Sequence, residues 1–230
     1  MKKLALALAL SGAFVAGTAN AVYIDDFNNN AGGHSAAGGG GGSSNQAGLP
    51  AATAAGGTLG GSRTIDVIGP NDVATTSLSV NQAFISEGIA KHAQGLTPGT
   101  QDVSVITWDG MENFDLTEGT TIDALQLNIV TIDVGGADLM FTLTSSSGTS
   151  TRTLPNLGLG PFAFLFTDFV GTATLTDIDA ISLTITARGD TDVGIDLITT
   201  RTGTNVPVPG TLALFGLGLV GAALRRRKTA

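Results

Sequence analysis

Between Ile181 and Thr186 the chain reads Ile-Ser-Leu-Thr-Ile-Thr, an unbroken alternation of apolar and hydroxyl-bearing side chains. A period of two sends successive side chains to opposite faces of an extended strand, so one face enters a core and the other meets solvent. Leu125, Leu127 and Ile129 repeat the pattern, and no window of the chain between its two apolar termini sustains the 3.6-residue period of a helix. Short strand-like runs recur instead, at 65–68, 77–80, 84–92, 103–108, 122–132, 139–144, 162–166, 181–186 and 193–198, with Gly135-Gly136, Ser147-Gly148 and Gly189-Asp190 supplying turn chemistry. Strands with one apolar face must cover it with a second layer. The expectation is therefore all-β: nine or ten antiparallel strands in two packed sheets, a β-sandwich of the jelly-roll kind. An outer-membrane barrel is the competing closed form, but ten Phe, one Tyr and one Trp do not furnish aromatic girdles.

The ends of the chain have a different character. Met1-Lys2-Lys3, an apolar run from Leu4 to Val15 and the exit Ala19-Asn20-Ala21 are the three parts of a secretory signal peptide, so residues 1–21 are expected to be removed after Ala21. The apolar run is short for a membrane anchor, the alternative reading of this segment. What remains is one domain, 22–204, followed by a tail, 205–230. Within the domain, Val22-Tyr23-Ile24-Asp25-Asp26-Phe27 reads as a first strand. The stretch 28–62, rich in Gly, Ala, Ser and Asn and including the run Gly38 to Gly42, has too little apolar surface to offset its ordering entropy and is expected as a flexible loop. No phosphate-loop Lys follows those glycines.

Six of the eleven cations lie in the two termini, leaving five against nineteen carboxylates in the domain, a net charge of −14. Such a surface repels nucleic acid and anionic lipid and suits solubility or divalent cations. The absence of cysteine removes disulfides, thiolate zinc sites and thiol catalysis from consideration.

The tail lines up three pieces in order. Val206-Pro207-Val208-Pro209 forces an extended backbone that cannot join a helix or a central strand. The Gly- and Ala-rich apolar run from Thr211 to Leu224 follows, and counted from Val206 it approaches the roughly 20 residues of a membrane span. Arg225, Arg226, Arg227 and Lys228 close it and by the positive-inside rule stay cytoplasmic. This arrangement, over about 25 residues, resembles the PEP-CTERM sorting domain, although Val208 stands where that family usually has Glu. The resemblance implies recognition by a membrane-embedded exosortase, transient anchoring in the inner membrane by an apolar helix, and release or attachment at the cell surface, often beside exopolysaccharide. The domain itself resembles, more loosely, galactose-binding-type jelly rolls through Ile24-Asp25-Asp26-Phe27, Val105-Ile106-Thr107-Trp108-Asp109-Gly110 and Ile195-Asp196-Leu197-Ile198. That resemblance implies a structural calcium ion tying first strand to last, with Asp25, Asp26 and Asp196 as ligands. A solvated strand-edge Asp is the other reading of these residues.

Candidate catalytic groups are few. His34 lies in the Gly-rich stretch and His92 at a strand end beside Lys91, too little material for a Ser/His/Asp site or a histidine metal site. Carboxylates occur in sets, Asp109 with Glu112 and Asp115, Asp177 with Asp179, and Asp190 with Asp192, and a glycosidase needs two such groups facing one cleft. Asp in turns is expected for turn formation alone. Trp108, the sole tryptophan, reads either as a sugar-stacking platform or as core packing. The inventory favours a non-catalytic, exported surface or matrix protein associated with exopolysaccharide over a secreted glycan-active hydrolase using an Asp/Glu pair.

Overall fold

The computed structural model describes residues 21–28, 35–37, 42–47, 49, 58–68, 77–80, 88–93, 101–119, 122–133, 135–188 and 191–202. The signal segment, His34 and the whole sorting tail, from Val206 to the Arg cluster, lie outside the described residues. Among those described, no helix is long and apolar enough to cross a membrane.

The described residues form fourteen strands: β1 Tyr23–Asp25, β2 Ser35–Ala37, β3 Gly42–Ala47, β4 Ser62–Ile68, β5 Ser77–Val80, β6 Ala90–Ala93, β7 Gln101–Asp109, β8 Ile122–Ile132, β9 Ala137–Ser145, β10 Gly148–Leu157, β11 Gly160–Leu165, β12 Val170–Gly171, β13 Ile178–Arg188 and β14 Val193–Thr202. They build two antiparallel sheets, and the protein is an all-β sandwich of the jelly-roll kind. One sheet runs β11-β8-β14-β6-β5-β2, with β1 also on β14; the other runs β12-β10-β9-β13-β7-β4-β3. The chain changes sheet repeatedly, so neighbours within a sheet are mostly distant in sequence.

The alternating runs behave as their period requires. Ile181, Leu183 and Ile185 on β13 and Leu139, Phe141 and Leu143 on β9 are fully buried and pair in register, Ile181 with Leu143 and Leu183 with Phe141. Leu125, Leu127 and Ile129 fill the facing layer from β8. Phe141 and Phe164 meet across the two sheets edge to face at 4.8 Å, a favoured aromatic geometry. The outer face of the second sheet carries Thr142, Ser182, Thr107 and Thr64 in one rank from β9 to β4, all partly exposed.

Four strands have no counterpart among the expected runs. β2 and β3 arise inside the Gly/Ser-rich stretch expected as a loop, and β3 pairs along its length with β4. Pairing at a sheet edge needs only backbone groups, so neither alternation nor large side chains announced it. The two-residue β12 is too short to leave a pattern. β10 is hidden by its polar residues and by Pro155, yet it pairs with β9 from Gly148 to Leu154. Gly60 marks a close approach between the second-sheet strands: its φ is +74° and a Cβ there would stand 2.0 Å from the Asp109 carbonyl oxygen.

Candidate functional site

A buried polar cluster is centred on Asp25 at the end of β1. Its neighbour Arg63 occupies the first inward position of β4, in phase with Ile65 and Val67, and is paired across the sheet with Trp108 of β7. Asp25, Arg63, Trp108 and Phe27 are each fully buried. Arg63 Nη1 lies 2.6 Å from Asp25 Oδ2, and Trp108 Nε1 donates to the same oxygen at 2.7 Å. Asp25 Oδ1 accepts the Phe27 N–H at 2.8 Å and the Thr58 hydroxyl at 3.4 Å. The Arg63 guanidinium also sits over the Phe27 ring, 5.7 Å from its centroid, and Phe27 tilts against Trp108 at 6.4 Å. Burial pushes the Asp25 carboxyl above its ordinary range, while the Arg63 cation and the Trp108 and Phe27 N–H groups pull the other way. One carboxylate thus joins the two sheets through four donors.

This geometry bears on two readings that the sequence left open. Calcium requires six to eight oxygen ligands, whereas both oxygens of Asp25 are already engaged by N–H and hydroxyl donors and face a cation. Asp26 turns the other way and accepts from the Asn28 N–H and side-chain amide, each at 3.1 Å. Asp196 lies in the irregularity between Ile195 and Ile198, where the edge of β14 passes from β6 to β1. First and last strands do adjoin, but Asp25, Asp26 and Asp196 do not converge, and no group of three or more His, Asp or Glu able to hold a metal ion occurs among the described residues. The donor set does not fit calcium at Asp25. Trp108, in turn, has no exposed face for stacking on a sugar ring.

The remaining titratable candidates have structural surroundings. His92 of β6 is fully buried; its Nδ1 is 2.7 Å from Ser104 Oγ, its Nε2 meets no partner among the described residues, and burial lowers its pKa to about 4. It is a neutral core imidazole at ordinary pH. Asp115 accepts the Thr117 hydroxyl at 2.6 Å and the N–H groups of Thr117 and Gly119, which hold its carboxyl below the usual value and close the loop between β7 and β8. Asp109 accepts from the Ser62 hydroxyl and Asp177 from the Ser146 hydroxyl. Asp190 lies outside the described residues, and Asp192 is exposed, with its N–H on Asp133.

Arg63 and Thr58 were not singled out from sequence. Arg63 did carry a signal: a cation in the apolar phase of an alternating strand has to find a buried anion. Thr58 carried none.

The fold and this hub define a β-sandwich pinned by a buried ion pair. Its C-terminal extension, residues 205–228, matches the PEP-CTERM protein-sorting motif, which marks an exported protein that is transiently membrane-anchored and processed by an exosortase. No curated protein matches the chain. Among solved structures, it is similar to an exo-β-agarase, 16% identical with a TM-score of 0.41 over 60% of this chain, which spans only 23% of the agarase. It is also similar to the family 11 carbohydrate-binding module from Clostridium thermocellum in complex with a β-1,3-1,4-mixed-linked tetrasaccharide, 13% identical, covering 80% of this chain and 98% of the module, TM-score 0.41. A solution structure of a family 11 module gives 13% identity, 83% and 99% coverage and a TM-score of 0.45.

Proposed function

We propose that the protein is a non-catalytic, exosortase-sorted component of the cell surface or extracellular matrix that associates with exopolysaccharide. The sorting motif at 205–228 is the observation that carries this reading. An N-terminal signal peptide ending at Ala21 belongs to it, since cleavage there leaves Val22, whose N–H donates to Thr200 Oγ1 at 2.7 Å, as the first residue tied to the sandwich. The state of the ionisable groups supports a non-catalytic role: Asp25 is committed to Arg63 and Trp108, His92 is buried and neutral, and Asp115 closes its own loop. With Trp108 in the core, the surface offered to a neutral glycan is the hydroxyl-bearing outer face around Thr107 and Ser182, whose hydroxyls lie 3.1 Å apart. Strands in that rank are about 4.8 Å apart.

Two measurements test the reading. The mature protein is expected to begin at Val22 and to end before Thr211; an intact Arg225–Lys228 terminus refutes sorting. Incubated with a glycan panel, the purified protein is expected to be retained on exopolysaccharide without releasing reducing ends. Release of reducing ends establishes a hydrolase instead, and no retention removes the glycan association.

A further inference from the structure

Burial and register place the side chains on the outer face of the first sheet. On β8, Leu125, Leu127 and Ile129 enter the core, which turns Gln126 and Asn128 outward. On β14, Ile198 and Thr200 are buried, and Thr199 and Arg201 take the outer phase. β11 buries Phe164 and turns Pro161, Ala163 and Leu165 out; β1 buries Ile24 and turns Tyr23 out. Pairing then aligns Ala163, Gln126, Thr199 and Tyr23 in one rank across four strands. Pro161 lies opposite Asn128 in the rank on one side, and Arg201 opposite Ala124 in the rank on the other. Three strand spacings make the rank about 14 Å long, and the step from Ala124 to Asn128 along β8 gives the face about 14 Å in the other direction.

The polar groups of this face are uncommitted. Tyr23, Gln126, Asn128, Thr199 and Arg201 are each partly buried, and none of their side chains hydrogen-bonds to another protein group among the described residues. Arg201 takes part in neither of the ion pairs found among those residues. On the second sheet, by contrast, the Thr107 and Ser182 hydroxyls engage one another at 3.1 Å. Each free amide offers two donors and an acceptor, the guanidinium five donors, and the phenol a hydroxyl on an apolar ring. This is the complement of a pyranose, whose rim carries hydroxyls that both give and accept hydrogen bonds and whose ring faces present C–H groups. A single cation in a domain of net charge −14 does not draw a polyanion. Leu165 is the one large apolar side chain exposed on the face among the described residues, too little for the apolar centre of a protein interface.

We infer that this face is a second and firmer binding surface for a neutral polysaccharide chain, laid across β8, β14 and β1. The Tyr23 ring stacks on one sugar, and Gln126, Asn128 and Arg201 hold the hydroxyls of its neighbours. The site rests on the glycan association proposed above and gives it a location.

Native gels cast with a β-glucan, a galactan, a mannan or dextran, and with carboxymethyl dextran as the anionic arm, yield a dissociation constant from the slowing of the protein band. The purified protein is expected to be slowed by at least one neutral polysaccharide, and no more by carboxymethyl dextran than by dextran. Tyr23→Ala, and Gln126→Ala combined with Asn128→Ala, leave the charge unaltered and are each expected to weaken that binding about tenfold. The urea midpoint reported by Trp108 identifies a variant that has lost its fold, in which case the other variant decides. Binding that survives both changes overturns this site and leaves the association standing. Stronger slowing by carboxymethyl dextran than by dextran overturns the neutral class of ligand. No slowing by any of the polysaccharides overturns the association, and the site with it.

Discussion

Replacing Asp25 by Asn removes the negative charge that faces Arg63 while keeping the side chain's size. Arg63 is fully buried and has its Nη1 2.6 Å from that carboxylate. Breaking one partner of a buried pair leaves an uncompensated charge in the interior, a loss of about 3–5 kcal/mol. The Asn oxygen still accepts from Trp108 Nε1 or the Phe27 N–H, so those donors add less than they would in Asp25→Ala, where each stranded donor costs about 1–3 kcal/mol more. A native stability of roughly 5–15 kcal/mol leaves Asp25→Asn folded but weakened, and Asp25→Ala near its limit. With a urea m-value of about 2 kcal/mol/M, the midpoint is expected to fall by about 2 M. Trp108 reports the transition directly, because the sole indole of the chain leaves the hub for water on unfolding. Replacing both charges, as in Asp25→Leu with Arg63→Met, is expected to recover most of the loss, since an apolar pair of similar volume removes the stranded cation. A midpoint for Asp25→Asn within about 0.3 M of the parent, or a double variant as weak as the sum of the singles, refutes the hub. So does a midpoint that falls with chelator in the parent and not in Asp25→Asn, which would mark Asp25 as a metal ligand after all.

Two further perturbations probe the same scaffold. His92 is neutral when folded, with its pKa lowered from the ordinary 6.5 to about 4 by burial, whereas the unfolded chain takes up its proton below 6.5. Its contribution is therefore complete above pH 6.5 and is lost as pH falls toward 4, about 3 kcal/mol over the window; His92→Gln is expected to flatten this acid slope in urea titrations, and an unchanged slope refutes it. Gly60→Ala places a Cβ against the Asp109 carbonyl at positive φ and is expected to lower stability by about 1–3 kcal/mol, while Gly158→Ala, which meets nothing within 4 Å, leaves the midpoint where it was. The mature termini and the glycan panel complete the set.

The local pattern of β7, β8, β9, β13 and β14 was legible residue by residue because each strand has one face in the core, and burial writes a period of two into the sequence. The two-layer class followed, since apolar faces need a partner. The tail was legible for a different reason: a membrane-bound sorting signal is recognised as a linear string, Val206-Pro207-Val208-Pro209, apolar run, cations, and needs no fold to exist. What the sequence could not supply was adjacency. β2 and β3 are held at edges by backbone pairing that leaves no side-chain trace. Asp25 reads as a surface carboxylate at a strand end until Arg63 arrives from 38 residues away and Trp108 from 83. Those separations are closed only by the sheet crossovers, which turn a candidate ligand into a buried structural charge and bring Val22 to Thr200, 178 positions later in the chain. Sequence determined the alternating strands, the two layers and the sorting motif; the tertiary structure decided the edge strands and which charges meet, because both depend on strand order and long-range register rather than on local pattern.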